Sequence, residues 1–138
     1  MKLTFTPASN TDAAELMERG IRQSDWRECL KVTGGGVGTA LRLAMAVSSL
    51  AVAMRAEGRI VALLGVAADP AGQGMIWLIA HDEAENPGLA IPLARASRHF
   101  VSHWQRRFKR LHNVADPEHA VSLRWLTWLG FYIDRENP

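Results

Sequence analysis

Several stretches of this chain carry side chains at spacings that chemistry can use, and each needs a second feature to become a site. Thr33-Gly34-Gly35-Gly36-Val37-Gly38-Thr39 is the stretch most able to cradle a phosphate on backbone N–H groups. A P-loop needs lysine and then serine or threonine after its last glycine, whereas Thr39 and Ala40 follow Gly38 here. A dinucleotide fingerprint needs a preceding strand and a third glycine three residues after the second, and threonine stands at that position. The run therefore reads as a flexible loop feeding a helix. His99 and His103 are four apart, so on a helix they share a face that could hold a metal. A zincin would need glutamate directly after the first histidine, where Phe100 stands, and no third ligand is placed nearby; no metal site is expected. His81, His112 and His119 are isolated and read as polar surface groups.

Nucleophilic catalysis has little to stand on. Ser48, Ser49 and Ser97 lack a Gly-x-Ser-x-Gly context, and Cys29 has no histidine with an identifiable pairing motif. No catalytic residue is assigned. Charge is more informative: Arg95, Arg98, Arg106, Arg107, Lys109 and Arg110 fall between Glu85 and Glu118, where the only acid is Asp116. That cluster could attract phosphate, and so weakly bind nucleic acid, or an acidic partner. It could equally be a solvated helix face, with cations favoured near the helix C-terminus.

The elements that must position these groups follow from periodicity. Lys2–Thr6 alternates as a strand, and Ser9-Asn10-Thr11-Asp12 offers N-cap residues for a short helix, Ala13–Arg19, that ends at Gly20. Ser24 and Asp25 cap a second short helix, Trp26–Lys31, with Asp25 and Glu28 at capping-box spacing. Thr39–Ser49 is a helix, and Leu50–Ala56 and Arg59–Ala67 are strands joined by Glu57-Gly58, a tight-hairpin signal. After the turn-rich Asp69–Gly74, Met75–Ala80 is a continuous apolar run that reads as a buried strand. His81–Gly88 is an acidic loop, and Leu89–Lys109 is the longest helix, with Pro92 admissible only in its first turn. Leu111–Ala115 is a strand, and Asp116-Pro117 then starts a helix that buries Val121, Trp125, Trp128 and Leu129. Gly130 stops that helix and Phe131-Tyr132-Ile133 resumes as a strand. The tryptophans at 26, 77, 104, 125 and 128 are mostly core by spacing.

Bulk properties fit one domain over 1–138: 48% apolar and 22% charged residues, with a formal charge of only +2. A lone cysteine rules out an internal disulfide and makes a reducing compartment the default. Met1–Phe5 shows no apolar signal-peptide core, and Leu43–Met54 is shorter than the ~20 apolar residues a bilayer span needs. The expected class is α+β, a mixed and mainly antiparallel sheet flanked by helices.

The order of elements, ending in a strand, a helix closing on Leu129-Gly130-Phe131 and a further strand, resembles the Gcn5-related N-acetyltransferase (GNAT) fold. In active members of that family, acyl-coenzyme A lies between two splayed strands, which correspond here to Met75–Ala80 and Leu111–Ala115. Its pyrophosphate is held by backbone N–H groups at the start of the helix that follows the first of them. The family motif there is Arg or Gln, two residues, Gly, one residue, then Gly or Ala. This chain has His81-Asp82-Glu83-Ala84-Glu85-Asn86-Pro87-Gly88-Leu89-Ala90-Ile91-Pro92 instead, with three acids, two prolines and one glycine. The usual general acid is a tyrosine four residues before the glycine of Leu-Gly-Phe, and Leu126 stands there. Tyr132 lies beyond that glycine. The resemblance implies the fold without the coenzyme, so no cofactor is expected.

Arg124-Trp125-Leu126-Thr127-Trp128-Leu129-Gly130-Phe131 after an Asn113-Val114 strand, with Arg98-His99-Phe100-Val101 following the Trp77-Leu78 strand, is similar to a small phage family. That family includes the internal virion protein of short-tailed podophages, which has an acetyltransferase-like fold lacking the coenzyme motif. It implies a non-catalytic accessory role through contacts with phage structural proteins in virion assembly or genome delivery. The protein would then work in the host bacterial cytoplasm and associate with the virion. A divergent acetyl-coenzyme A-dependent N-acetyltransferase and a weak nucleic-acid-binding module are the competing readings. The sequence leaves oligomeric state open.

Overall fold

A computed structural model describes residues 2–25 and 36–112. The expected helix Trp26–Lys31, most of Thr33–Gly36, Cys29, the strand beyond His112, and the terminal helix and strand with Trp125, Leu126, Trp128 and Tyr132 lie outside the described residues.

Strand β1 (Leu3–Pro7) leads into helix α1 (Asn10–Arg19), then come helix α2 (Val37–Val47) and strands β2 (Ser48–Ala56), β3 (Arg59–Ala68) and β4 (Gly74–Ala80). A 3-10 turn (Asp82–Glu85), helix α3 (Pro87–Trp104) and strand β5 (Leu111–His112) follow. The strands lie in one sheet in chain order. β1 through β4 are antiparallel neighbours, while β5 joins β4 in parallel through Gly74↔Leu111 and Met75↔His112. This is the expected α+β class with a mixed, mainly antiparallel sheet.

Local sequence explains most boundaries. The N-cap is Ser9: its hydroxyl accepts from the Asp12 N–H, and the Asp12 carboxylate accepts from the Ser9 N–H at 2.8 Å. This reciprocal cap starts α1 at Asn10 rather than at Ala13. Glu57 (φ 49°) and Gly58 (φ 80°) are both left-handed, as a two-residue type I′ hairpin turn requires. Both Ser48 and Ser49, expected in a helix, begin β2 instead, because Ser48 is extended and pairs with Ala67.

α3 also differs from expectation. It starts at Pro87 and stops at Trp104, so Pro92 is inside the helix and not in its first turn. The missing N–H leaves the Gly88 carbonyl without its helical donor. The helix stops short of Lys109 because the chain turns back to the sheet: Lys109 N–H donates to the Gly72 carbonyl (3.2 Å), and Gly74 N–H donates to Arg110 (2.8 Å).

The core has two sides. Leu89, Leu93, Val101 and Trp104 of α3 pack against Met54, Val61, Val66, Ile76 and Ala80. On the opposite face Ala13, Leu16 and Leu41 of α1 and α2 cover Ala53, Ile60, Leu63, Trp77 and Ile79. β3, covered on both faces, is buried from Ile60 to Ala67, which is why it reads as an unbroken apolar run. These packed layers fix where β4 ends and where α3 begins.

Candidate functional site

The C-terminal end of β4 and the turn into α3 form the place where the acetyltransferase resemblance would put the coenzyme pyrophosphate. Backbone polarity alternates along a strand. His81 N–H faces β3 and donates to the Val61 carbonyl (2.9 Å), so the groups of Ala80 face the other edge, toward β5.

That edge is already in use at Ala80. Arg22 N–H donates to the Ala80 carbonyl (2.8 Å), and Ala80 N–H donates to the Asp25 carboxylate (2.8 Å). The Arg22 guanidinium holds the same carboxylate in a fork, Nε to Oδ2 at 2.9 Å and Nη2 to Oδ1 at 2.8 Å. Both residues are buried, at 6% and 3% exposure. The pair is therefore a dry, charge-assisted clamp on the strand edge. The expectation that Asp25 caps a helix is corrected here. Residues 23–25 are already helical, and the carboxylate is turned to the sheet. Arg22 and Asp25 are the residues sequence reasoning missed. Their spacing suggests an i,i+3 ion pair, but nothing local points to Ala80, which is 55 residues away from Asp25.

The turn after β4 consumes its own donors. Glu83 N–H donates to His81 Nδ1 (3.0 Å), Ala84 N–H to the His81 carbonyl, and Asn86 N–H to Glu83. At the start of α3, Leu89 and Ala90 N–H both donate to Asn86, and Pro87 has no N–H to offer. Gly88 is the first helical residue with a donor. An anion nest needs several such groups aimed outward together.

The acids of this turn behave differently from the expectation of three bare negative charges. Glu83 lies between Arg59 Nη2 (2.5 Å) and Arg19 Nη2 (3.0 Å). The Arg59 bond holds the Glu83 carboxyl below its usual range against the upward push of burial, and Arg19 adds to the effect. Arg19 also donates to the Ile60 carbonyl. Glu85 lies 3.5 Å from Arg22. Most of the acidic charge is thus answered by arginines that fasten the turn to α1 and β3. Repulsion of an anion is weaker than a bare count suggests, and the shortage of donors and the occupied strand edge matter more. The residues present do not fit a coenzyme A pyrophosphate and pantetheine arm.

Every cation singled out on α3 and the turn after it, Arg95, Arg98, Arg106, Arg107, Lys109 and Arg110, is exposed. Arg95 and Arg98 are on α3, and the other four are in the segment that returns the chain to the sheet. The rings of Phe5 from β1 and Phe100 from α3 meet edge-to-face at 6.0 Å, with His99 5.6 Å from Phe100. The tertiary fold brings these rings together, and their separation in sequence hides the contact. His99 and His103 are exposed on α3, and no group of three metal-ligating side chains occurs among the described residues. Ser97 is buried and its hydroxyl donates to the Leu93 carbonyl (2.9 Å), a helix back-bond rather than a nucleophile. Trp77 and Trp104 are core residues, as expected. No helix among the described residues is long and apolar enough to cross a membrane.

No protein-family model matches the chain, and no curated protein matches its sequence. Solved structures do match. The GNAT domain of S. lividans PAT superposes with a TM-score of 0.70 at 12% identity, covering 97% of this chain and 84% of that one. A ribosomal-protein-alanine N-acetyltransferase from Brucella melitensis gives 0.62 at 15% identity, covering 97% and 94%. The aminoglycoside N-acetyltransferase AAC(6')-Iy, in complex with a coenzyme A bisubstrate analogue, gives 0.61 at 14% identity, covering 96% and 92%. The chain has the GNAT acetyltransferase fold.

Proposed function

We propose that this is a non-catalytic protein of GNAT fold that acts through contacts with phage structural proteins in virion assembly or genome delivery. The observation that carries the non-catalytic half is the β4 edge at Ala80. Its N–H and C=O are taken by Asp25 and Arg22, where a pantetheine arm would need them. The turn beyond it, spending its donors internally, supports the same reading. The phage half rests on the resemblance over Arg124–Phe131 and Arg98–Val101. In this reading the chain is made in the host bacterial cytoplasm and travels with the particle.

The test is genetic and compositional. A phage deleted for this gene, complemented in trans, should yield particles of normal infectivity only when the chain is supplied. Mass spectrometry of purified particles, or of assembly intermediates, should find the chain. Normal particles without it, or its absence from particle and intermediates alike, would refute the proposal. The competing reading, a divergent acetyltransferase, draws on fold matches that span nearly the whole chain. It requires the strand edge to open, and chain-dependent acetyl transfer to an amine would establish it.

A further inference from the structure

We propose that the outer side of α3 and the turn after it form a sequence-independent binding surface for single-stranded nucleic acid. The argument starts from how the fold sorts its arginines. Arg19, Arg22, Arg55 and Arg59 each meet a named carboxylate: Glu83, Asp25, Asp12 and Glu15, and Glu83 respectively. These side chains fasten elements together. Arg95, Arg106, Arg107, Lys109 and Arg110 are exposed, and none forms an ion pair among the described residues. No acid occurs from Asn86 to Ala115 in the sequence, and the acid the fold brings to the end of this cluster is Asp69, whose carboxylate lies 3.9 Å from His112, so the cations outnumber the acids on this side.

The rings select the polymer. Arg95, His99 and His103 are spaced i, i+4, i+8 and line one face of α3. Phe100 lies beside that row, with Phe5 against it and 38% exposed although it is a large apolar ring. Arg95 and the exposed cations after α3, with an aromatic edge beside the helix, suit unpaired bases, which offer both phosphates and faces for stacking. A duplex hides the faces of its bases in the stack.

The test uses the full chain and a fluorescein-labelled 20-nucleotide oligodeoxythymidylate, read by anisotropy across a salt series. If these five cations meet phosphates, log affinity should fall with log salt at a slope of about −3.5, taking ~0.7 per single-strand contact. Between 50 and 200 mM salt that is a loss of about 130-fold. The triple variant Arg106→Gln, Lys109→Gln, Arg110→Gln should lose about 2 from the slope and ~100-fold in affinity at 0.1 M. The exposed Arg42, on α2 across the sheet, should tolerate Arg42→Gln with no change. Phe5→Ala should weaken binding about fivefold or more with the slope unchanged, since stacking is not ionic. Circular dichroism melts of each variant separate misfolding from lost contacts. Absence of salt-dependent binding at 50 mM would overturn the proposal. So would a triple variant that binds like the parent, or polyglutamate or duplex competing as well as the oligonucleotide.

Discussion

Asp25→Ala is the perturbation that bears most heavily on the described fold. The substitution removes the acceptor of a buried fork and leaves the Arg22 guanidinium, 6% exposed, without its main counter-charge. It also strands the N–H of Ala80 at the strand edge. Breaking a buried pair from one side costs about 3–5 kcal/mol, because the remaining charge stays desolvated. An unsatisfied buried N–H alone costs about 1–3 kcal/mol. Glu85, 3.5 Å from Arg22 and 45% exposed, gives partial relief and sets the expectation near the lower end, about 3 kcal/mol. Urea unfolding followed by tryptophan fluorescence measures this. A domain of this size holds only about 5–15 kcal/mol, so the midpoint shift should be large. Removing both charges with Arg22→Met and Asp25→Leu should recover much of the loss, since neither partner is then buried alone. A loss below about 1 kcal/mol for Asp25→Ala, or a double variant as unstable as the sum of the singles, would refute the clamp.

Two further outcomes follow from named contacts. Gly65→Ala would set a Cβ 2.4 Å from the Trp77 ring, forcing the indole off its Nε1–Ser48 Oγ bond of 2.8 Å. It should cost about 1–3 kcal/mol and shift the tryptophan emission, whereas unchanged stability would mean the ring has room. Glu83→Gln should flatten the acid limb of stability. A carboxyl held below its ordinary value of 4.5 stabilises the fold above that value and loses its contribution as pH falls through the folded-state value. Parent and variant should therefore differ most near neutral pH and converge below the carboxylate range. A constant gap down to pH 2 would show that the Arg59 and Arg19 contacts are inert.

The sheet was legible because its signals are local. The alternation of β1, the continuous apolar run Met75–Ala80 of β4 and the Glu57-Gly58 turn each name their own structure, and the structure bears them out as strands and a hairpin. The end of α3 was not legible. Leu89–Lys109 has helical composition throughout, and what stops the helix at Trp104 is hydrogen bonding of Lys109 and Arg110 to the strand segment Gly72–Gly74. Helix propensity does not contain that tertiary contact. The candidate site was legible only in part. Pro87 and the single glycine of the turn already tell of scarce donors. The acids misled, because Arg19 and Arg59 reach Glu83 from 64 and 24 residues away and turn apparent repulsion into fastening. The Asp25 clamp on Ala80 was invisible for the same reason: a carboxylate before an amphipathic run looks like a cap unless the strand beside it is known.

Isothermal titration of the full chain with acetyl-coenzyme A tests the central claim most directly. The cofactor needs outward backbone donors for its pyrophosphate and an open strand edge for its pantetheine amides. Here Ala80 is engaged on both sides, and the N–H groups of Glu83, Ala84, Asn86, Leu89 and Ala90 are spent within the turn and helix start. The few backbone bonds that could still form contribute about 1 kcal/mol each, well short of what micromolar affinity requires. No saturable heat at millimolar ligand is the expected result. A dissociation constant in the low micromolar range would contradict the account and return the chain to the acyltransferases.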